Sequence, residues 1–282
     1  MYNDAHQTQL EEIKIWQQNF NTSPTALHSL TSNPTTGNWD IIALQEPPID
    51  RLGNTKANHH WRVVYPTYKL AKGQKPRAVM FVNTRISTNY WEQVEFPSAD
   101  VVIIRIKTAS GLVTIFNVYN DCTHDRMLDE LGRFMVAQLA RIRPTEDDHM
   151  LWLGDFNRHH PLWDEEQNNH LFTTAALESA QKLLDLLADY SMSQALPKDI
   201  PTLQVSNSGN STCPDNVFCT EHTLPLLVSC NTDPDNRGPN MDHLPILTKL
   251  DTSVIAAQTL PTLNYREVDW KVFNTKLKEE LQ

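Results

Sequence analysis

The sequence predicts an α/β protein in which helices cover β-sheets, and two kinds of segment support this prediction. Short apolar segments have the length of strands, and several are apolar and β-branched at successive positions, which is typical of strands buried on both faces. Segments with the helical spacing of apolar residues alternate with them, and such a mixture builds layers of helix on sheet. The predicted strands are Ile13–Phe20, Ile41–Gln45, Ala78–Asn83, Val101–Lys107, Leu112–Tyr119, Met150–Gly154, Val217–Cys219 and Leu244–Leu250.

The helices are predicted from capping residues and from periodicity. Ser23 as N-cap and a proline at the first helical position predict a helix over Pro24–Leu30. Apolar residues at i, i+3, i+4 and i+7 predict helices over Met127–Ile142 and Thr174–Tyr190. We expect residues 10–250 to form one domain, followed over 251–282 by a linker and a short C-terminal helix, Trp270–Leu281.

Composition excludes several classes of protein. Of the 282 residues, 40% are hydrophobic and 21% charged, which excludes a wholly disordered chain. No apolar run approaches the roughly 18 residues of a membrane span, and the first residues lack the basic start and apolar core of a signal peptide, so we expect an intracellular protein. The four cysteines have no short paired spacing, which argues against a zinc module and a disulfide scaffold.

Charge is distributed unevenly along the chain. The net charge of −10 argues against a nucleic-acid partner if it is taken as a single number. Between Arg51 and Arg85, however, eight basic residues occur without any Asp or Glu, and the remainder carries 16 basic and 34 acidic residues, or −18. This basic segment is either a solvated loop or a phosphate-binding surface. Its candidate DNA-binding residues are Arg51, Lys56, Arg62, Lys69, Lys72, Lys75 and Arg77.

The first candidate for chemistry is a glutamate at a strand end. The predicted strand Ile41–Gln45 is followed by Glu46 and by two prolines that stop the strand. Ligands of open α/β sheets bind at strand ends, so Glu46 is placed for a hard cation. The alternative is a surface glutamate beside a turn.

The second candidate follows the strand Met150–Gly154. Gly154 is expected to let the backbone turn, and Asp155 and Asn157 are two residues apart, so in extended geometry both side chains project to one face. One carboxylate and one amide on that face could orient and deprotonate a water molecule. The alternative is an Asx turn that closes a loop.

The third candidate precedes the last strand. Asp242 and His243 are neighbours, and neighbours on an extended chain face opposite ways, so His243 needs another acid. Asp215 is the plausible one. A buried aspartate would hold the imidazole as a cation, which could neutralise a phosphate oxygen. The alternative is a structural histidine.

Two further strand ends carry polar groups. Tyr119 closes the strand Leu112–Tyr119, where its phenol could donate to a phosphate oxygen or simply pack. Asn19 and Asn21 close the first strand. Being two residues apart they are expected to share one face, where an amide oxygen could ligate or position a metal.

In chain order these strand ends carry Asn, Glu, Tyr, Asp-x-Asn and Asp-His, a set that resembles the endonuclease/exonuclease/phosphatase superfamily of DNase I and the AP endonucleases. The resemblance covers residues from about 10 to 250. The strings IWQQNFNTS, NVYNDCTHDR, GDFNRHHPLWD, CPDNVF and NYREVDW are in addition similar to the endonuclease domain of fungal LINE-type retrotransposons. The resemblance implies a four-layered sandwich, with two mixed β-sheets packed face to face and helices outside.

The resemblance also implies roles at a metal site. Glu46 would be the principal ligand of Mg²⁺, with Mn²⁺ as an alternative, while Asn19 assists and Asp242 lies near the metal. Two departures from the family pattern affect this site. Met241 stands where the family commonly has Ser, and Asn21 stands where many relatives have Asp, so we expect weaker metal binding.

The remaining roles concern the phosphate and the attacking water. By resemblance, Tyr119 would bond the scissile phosphate, and Asp155 would orient or activate the water with help from Asn157. Asp215 would orient His243, in agreement with the strand-alternation argument, and His243 would contact the phosphate.

Together these roles imply a Mg²⁺-dependent phosphodiesterase, a DNA endonuclease that nicks its target and leaves 3′-hydroxyl and 5′-phosphate ends. The chain contains no reverse transcriptase, so the resemblance implies an isolated or truncated endonuclease module, nuclear if active. Two alternatives stay open. One is a phosphomonoesterase or phospholipase of the same superfamily, and the other is a non-catalytic DNA-binding remnant.

Overall fold

Two six-stranded β-sheets pack face to face, with helices on the outer face of each. The computed structural model describes residues 10–68, 75–145, 147–205, 210–253 and 270–280. Its strands are β1 (Glu12–Asn19), β2 (Ile41–Gln45), β3 (Trp61–Val64), β4 (Ala78–Asn83), β5 (Trp91–Val94), β6 (Val101–Thr108), β7 (Gly111–Tyr119), β8 (His149–Asp155), β9 (Met192–Gln194), β10 (Leu203–Gln204), β11 (Ser211–Thr212), β12 (Asp215–Thr220), β13 (Leu227–Thr232) and β14 (Ile246–Asp251). Its α-helices are α1 (Pro24–Ser32), α2 (Arg126–Ile142), α3 (Thr174–Asp189) and α4 (Trp270–Glu280).

All eight predicted strands are confirmed, with small shifts at their ends. The largest shifts are of two residues, at the starts of β12 and β14. β14 begins after Pro245, a residue that cannot donate to the ladder. The strands β3, β5, β9, β10, β11 and β13 were not predicted. They are short or mixed in polarity, and β3, β5, β9 and β13 lie at the edges of the two sheets.

The predicted helices are confirmed as well. Ser23 caps α1, since its side-chain oxygen accepts a hydrogen bond from the Ala26 N–H at 3.2 Å. The helices α2 and α3 match their predicted segments to within one residue, and α4 matches the predicted C-terminal helix. The predicted linker lies largely outside the described residues, which resume at Trp270. No helix in the described ranges is long and apolar enough to cross a membrane.

Alternation along the strands explains the layers. On β1, Ile13 and Ile15 pack into the layer between the sheets, whereas Trp16 packs outward with α1. On β6, Ile104 joins the layer between the sheets, whereas Ile103 joins the cluster that holds α2 and α3. Both faces of each sheet are therefore apolar, and each buried side chain of this size contributes about 1.5–3 kcal/mol. The predicted four-layered sandwich of two mixed sheets is confirmed.

Topology gathers strand ends at one edge of the sandwich, which we call the site edge. The strand order is β13-β14-β1-β2-β4-β3 in the first sheet and β5-β6-β7-β8-β12-β9 in the second. In each sheet the central pair, β1 with β2 and β7 with β8, is parallel, and the flanking strands run antiparallel to it. The site edge thus collects the carboxyl ends of the central strands β1, β2, β7 and β8. It also collects the amino ends of the strands beside them, β14, β4, β6 and β12.

A buried polar clasp joins the two sheets near the site edge. Asn117 of β7 is fully buried, and its Nδ2 donates to the carbonyl oxygens of Leu44 (3.1 Å) and Val79 (2.8 Å) in the first sheet. Its Oδ1 accepts a hydrogen bond from Gln45. Because unpaired polar groups in this layer would cost about 1–3 kcal/mol each, these bonds favour one alignment of the sheets.

Gly154 allows β7 and β8 to approach closely, and the expectation that it lets the backbone turn is wrong. The strand continues to Asp155, with Gly154 paired to Val118 on one side and to Asn216 on the other. Its φ is +150°, and a Cβ atom at this position would lie 1.9 Å from the carbonyl oxygen of Val118. Only glycine fits there.

Gly154→Ala is therefore expected to lower the free energy of unfolding by about 3 kcal/mol or more, because it adds backbone strain to a direct overlap with β7. Equilibrium urea unfolding measures the change. Gly37→Ala is the matched control, since no atom outside the neighbouring residues lies within 4 Å of a Cβ placed there. Equal stabilities of the two variants would contradict this account of Gly154.

Candidate active site

Asn19 joins a carboxylate from each sheet at the site edge. Its Nδ2 donates to Oε2 of Glu46 at 3.2 Å and to Oδ2 of Asp155 at 2.8 Å. Glu46 follows β2 of the first sheet and Asp155 ends β8 of the second. The two carboxylates that the sequence singled out separately are thus brought to one place by a shared donor.

The orientation of the Asn19 amide is fixed by the turn that follows β1. Its Oδ1 accepts a hydrogen bond from the Asn21 N–H at 2.8 Å, which directs the amino group to the carboxylates. The prediction that Asn19 and Asn21 share one face is wrong, because the extended backbone ends at Asn19 and Asn21 has a φ of +41°. Asn19 therefore positions carboxylates by donating to them, and its oxygen does not face them.

Glu46 is held in a strained conformation. Its φ is +44°, a left-handed value that costs a non-glycine residue about 1 kcal/mol or more. Its N–H donates to the carbonyl oxygen of Arg77 at 2.7 Å, and its own carbonyl accepts from the Thr22 N–H at 2.8 Å. Strain retained by such bonds is typical of a functional residue, and the half-buried carboxylate of Glu46 stays accessible.

Asp155 and Asn157 do not lie on one extended strand, so that geometric prediction is wrong. The strand β8 ends at Asp155, and Asn157 has a φ of +49°. The Asn157 N–H donates to Oδ1 of Asp155 at 3.0 Å, which is the Asx turn held open as the alternative. The Asn157 side chain donates to the carbonyl oxygen of Asn120 at 2.9 Å. Both oxygens of Asp155 therefore accept a hydrogen bond, and its carboxylate is fixed.

The predicted pairing of His243 with Asp215 is confirmed. The His243 Nδ1 lies 2.8 Å from Oδ2 of Asp215, whereas Asp242 accepts from the His243 backbone N–H at 3.1 Å. Burial lowers the pKa of His243, but attraction to Asp215 and the hydrogen bond with it outweigh burial and raise that pKa to about 9. The imidazole is therefore a cation at neutral pH.

The register between β8 and β12 sets two carboxylates opposite each other. Asp155 pairs directly with Asp215 across the ladder, and both side chains are buried. Burial, followed by repulsion from Asp215, raises the pKa of Asp155, while the positive charge of His243 opposes this rise. The three side chains form one electrostatic unit.

Tyr119 ends β7 at the same edge, beside Asp155 in the parallel ladder. Burial, then the charge of Glu46 and a hydrogen bond with it, raises the pKa of the phenol far above its ordinary value of 10. The Arg77 guanidinium carbon lies 4.8 Å from the centre of the ring. Tyr119 is therefore a neutral hydrogen-bond donor.

The side chains at this edge fit a hard divalent cation. One donor atom each from Asp155, Asp215 and His243 lies within 4.8 Å of the others, and Oδ1 of Asp215 is buried without a hydrogen-bond partner among the described residues. His243 is a poor ligand, since its Nδ1 is bonded to Asp215 and its raised pKa keeps it protonated. Oxygen donors, including Glu46 through its link to Asp155, favour Mg²⁺ or Mn²⁺ over zinc.

The position of Met241, a departure from the family pattern, is explained by packing. Its side chain is buried in the apolar cluster on the outer face of the first sheet, with Trp16 and Phe20. It therefore lies among the groups that hold α1 and not among the charged groups of the site edge.

Fewer charges of the basic segment are free to bind a polyanion than its composition indicates. Lys69 and Lys72 lie outside the described residues, whereas Arg51, Lys56 and Lys75 are exposed. These three carry charge that can reach a polyanion.

Three arginines of the segment, Arg62, Arg77 and Arg85, bond within the protein. Arg62 donates to the carbonyl oxygens of Thr84 (3.3 Å) and Ile86 (3.1 Å). Arg85 pairs with Asp40 at 2.8 Å. Arg77 pairs with two carboxylates, and the sequence offered no sign of this.

Sequence reasoning also missed two residues that hold the loop after β8. The Asn120 N–H donates to the Asp155 carbonyl oxygen at 2.8 Å, and its Nδ2 donates to that of Phe156 at 2.8 Å. Arg158 is buried and donates to Asp125 at 2.5 Å and to the Asn157 carbonyl oxygen at 2.8 Å. In the sequence, only the position of these two residues directly after candidate motifs could have indicated their roles.

One known protein family matches part of the chain. Residues 113–247 match a family model described as endonuclease-reverse transcriptase. No curated protein sequence matches the chain significantly.

Solved structures share the fold. The endonuclease domain of TRAS1, a telomere-specific non-LTR retrotransposon, superposes with a TM-score of 0.65 at 18% identity, over 86% of this chain and 100% of that one. The AP endonuclease LMAP from Leishmania major gives 0.64 at 11% identity, over 86% and 88%. An AP endonuclease from Archaeoglobus fulgidus gives 0.60 at 20% identity, over 85% and 99%. These findings confirm the DNase I-like fold and the resemblance to that superfamily.

The Asp215–His243 pair predicts a measurable titration. In metal-free protein, the His243 imidazole is expected to titrate near pH 9 by NMR. Because its pKa is raised on folding, the pair stabilises the fold fully below about pH 6.5 and loses this contribution as pH rises through 9.

Asp215→Asn provides the comparison for this titration. Without the Asp215 carboxylate, burial lowers the pKa of His243 and only more distant charges oppose this effect. The His243 midpoint should therefore fall well below that of the wild type. His149, whose pKa is lowered by burial and by His222, serves as an internal reference that should not move. An unchanged His243 midpoint in the variant would show that Asp215 does not set its charge.

Proposed function

We propose that the protein is a divalent-metal-dependent DNA endonuclease that nicks its target and leaves 3′-hydroxyl and 5′-phosphate ends, as a module of retrotransposon type acting in the nucleus. The observation that carries the proposal is the link made by Asn19 between Glu46 and Asp155, beside the cationic His243 and the neutral phenol of Tyr119. Cutting a phosphodiester requires a base for water together with positive charge and donors for the phosphate.

Glu46 and Asp155 would hold the metal, with Asp242 near it and Asn19 orienting both carboxylates. Glu46 is the proposed principal ligand because Asn19 links its carboxylate to that of Asp155. The oxygen donor set favours Mg²⁺, with Mn²⁺ as the alternative. When bound, the ion supplies positive charge to the phosphate and to the leaving oxygen.

Asp155 is the group proposed to orient the attacking water and to accept its proton. Its carboxylate is fixed by the N–H of Asn157 and the amide of Asn19, so it needs little reorganisation. Asn157 thus contributes mainly through its backbone, and its side chain holds the loop at Asn120.

His243 and Tyr119 are proposed to bind the phosphate. The Nδ1 of His243 is bonded to Asp215, which leaves Nε2 to donate to a phosphate oxygen. The neutral phenol of Tyr119 can donate to a second one. A protonated imidazole and a phenol together stabilise charge that develops during attack.

Supercoiled plasmid provides the first test. The wild type is expected to convert it to the nicked circle with Mg²⁺ or Mn²⁺ and not with EDTA, and the nick should be resealed by DNA ligase, which requires the proposed ends. Glu46→Ala and His243→Ala should each slow nicking by about 100-fold or more, since each removes charge stabilisation from the reacting phosphate.

Matched controls are Glu221→Ala and His60→Ala, which change exposed residues at the opposite ends of the strands, since Glu221 follows β12 and His60 precedes β3. Nicking at the wild-type rate by Glu46→Ala would overturn the metal assignment. Release of phosphate from inositol phosphates with no nicking would favour a phosphomonoesterase, and DNA retention with no cleavage at millimolar Mg²⁺ would favour a binding remnant.

The exposed basic residues predict the salt dependence of binding. Replacing Arg51, Lys56 and Lys75 with Ala should reduce the slope of log affinity against log salt by about 2 to 3, since each contact with a phosphate contributes about 0.9. Fluorescence anisotropy in EDTA measures binding without cleavage. The triple variant of Lys107, Arg133 and Lys198, exposed residues elsewhere, is the control. An unchanged slope in the first variant would exclude the basic segment from the DNA interface.

A further inference from the structure

Arg77 connects the two sheets through its backbone at the site edge. It directly precedes β4 of the first sheet, and its N–H donates to the carbonyl oxygen of Ala99, just before β6 of the second sheet, at 2.9 Å. Its own carbonyl oxygen accepts the Glu46 N–H at 2.7 Å. The residue that carries the proposed metal ligand is therefore held by Arg77.

Each nitrogen of the Arg77 guanidinium donates to a carboxylate of the second sheet. Its Nε and one terminal nitrogen donate to the two carboxylate oxygens of Asp100 at 2.7 and 2.6 Å. The other terminal nitrogen donates to Oδ2 of Asp121 at 2.6 Å. Asp100 precedes β6 and Asp121 follows β7, so the planar fork of Arg77 spans the ends of two strands.

The same guanidinium lies against Tyr119. Its central carbon is 4.8 Å from the centre of the ring, close enough for a cation–π contact. Burial, and then the nearby charge of Glu46, raises the pKa of the Tyr119 phenol. Arg77 thus contacts Glu46 through its backbone and Tyr119 through its side chain.

These contacts argue against Arg77 as a ligand of DNA phosphate, the role predicted from the basic segment. One guanidinium pairs with two carboxylates, so the charge of Arg77 is already compensated within the protein. Moving it to a phosphate would leave Asp100 and Asp121, only 14% and 20% exposed, without their partner. Removing one partner of such a pair is costly.

We propose that Arg77 is a positioning residue, which fixes Glu46 and Tyr119 relative to each other and does not bind DNA. The inference rests on the proposed endonuclease function. It differs from the sequence prediction in assigning the positive charge of Arg77 to two carboxylates of the protein rather than to the substrate.

Three variants separate the two roles. Arg77→Gln removes the guanidinium, Arg77→Lys keeps its charge without the planar fork, and Asp100→Asn frees part of the fork while retaining Arg77. Plasmid nicking gives kcat and KM, anisotropy in EDTA gives the salt slope, and thermal unfolding shows that each variant folds.

Positioning predicts a fall in kcat of about 100-fold for Arg77→Gln, as expected for misplaced catalytic groups, with the salt slope unchanged. Arg77→Lys should not restore kcat, and Asp100→Asn should lower kcat as well. The double variant R77Q/D100N should be no slower than R77Q, since both changes break one interaction. If R77Q does not fold, the double variant leaves only one carboxylate, that of Asp121, without its arginine instead of two.

Two control variants provide reference values for the salt slope and for kcat. Lys75→Ala, an exposed residue near Arg77, should reduce the salt slope by about 0.9. Arg105→Gln breaks an arginine–glutamate pair with Glu92 in the half of β6 away from the site edge, and it should leave kcat unchanged.

A role in DNA binding gives the opposite results. The inference is overturned if R77Q reduces the salt slope by about 0.9 with kcat retained, if R77K restores wild-type kcat, or if D100N binds DNA more tightly at unchanged kcat. Failure of the wild type to nick plasmid would instead count against the proposed function, so the two failures are distinguishable.

Discussion

The packing of several carboxylates against one another at the seam of two sheets is the constraint on which this site depends. The register of β8 and β12 sets Asp155 directly opposite Asp215, and Glu46 approaches from the other sheet. Like charges in a buried place destabilise the fold unless donors or cations compensate them. The cation His243 compensates Asp215, the amide of Asn19 is shared by Glu46 and Asp155, and a divalent ion would complete the balance.

The fold supplies this arrangement because its two sheets are locked at that edge. The Asn117 clasp sets the alignment of the sheets, Gly154 brings the backbones of β7 and β8 together, and Arg77 spans the same seam at the rim. Each of these residues constrains the position of the backbone. A displacement of either sheet by a fraction of a strand spacing would separate Glu46 from Asp155. The fixed alignment of the two sheets is therefore needed to keep the proposed catalytic residues together.

The local sequence pattern predicted the helices, eight of the strands and a large part of the site. Strand alternation correctly excluded Asp242 as the partner of the His243 ring and indicated Asp215, and the strand ends correctly located Glu46, Tyr119 and Asp155. The same rule failed for Asn21 and for Asn157, because alternation holds only while the backbone is extended and both residues lie beyond a strand end.

Long-range partners could not be predicted in this way. Arg77 belongs to a basic run in sequence, but its partners Asp100 and Asp121 lie 23 and 44 residues further on and meet it only in the folded protein. Asn117 appeared as part of an apolar strand, and its role follows from carbonyl groups of another sheet. Net charge is a property of the chain, whereas charge available to a ligand depends on such pairings.

The central claim is that a divalent ion is held by Glu46 and Asp155 while His243 remains paired with Asp215. A crystal structure with Mn²⁺, in which the anomalous signal locates the ion, tests it most directly. The proposed metal assignment predicts one ion coordinated by the Glu46 carboxylate, with the His243–Asp215 hydrogen bond intact. An ion bound between Asp155, Asp215 and a displaced His243, with Glu46 uninvolved, would contradict it.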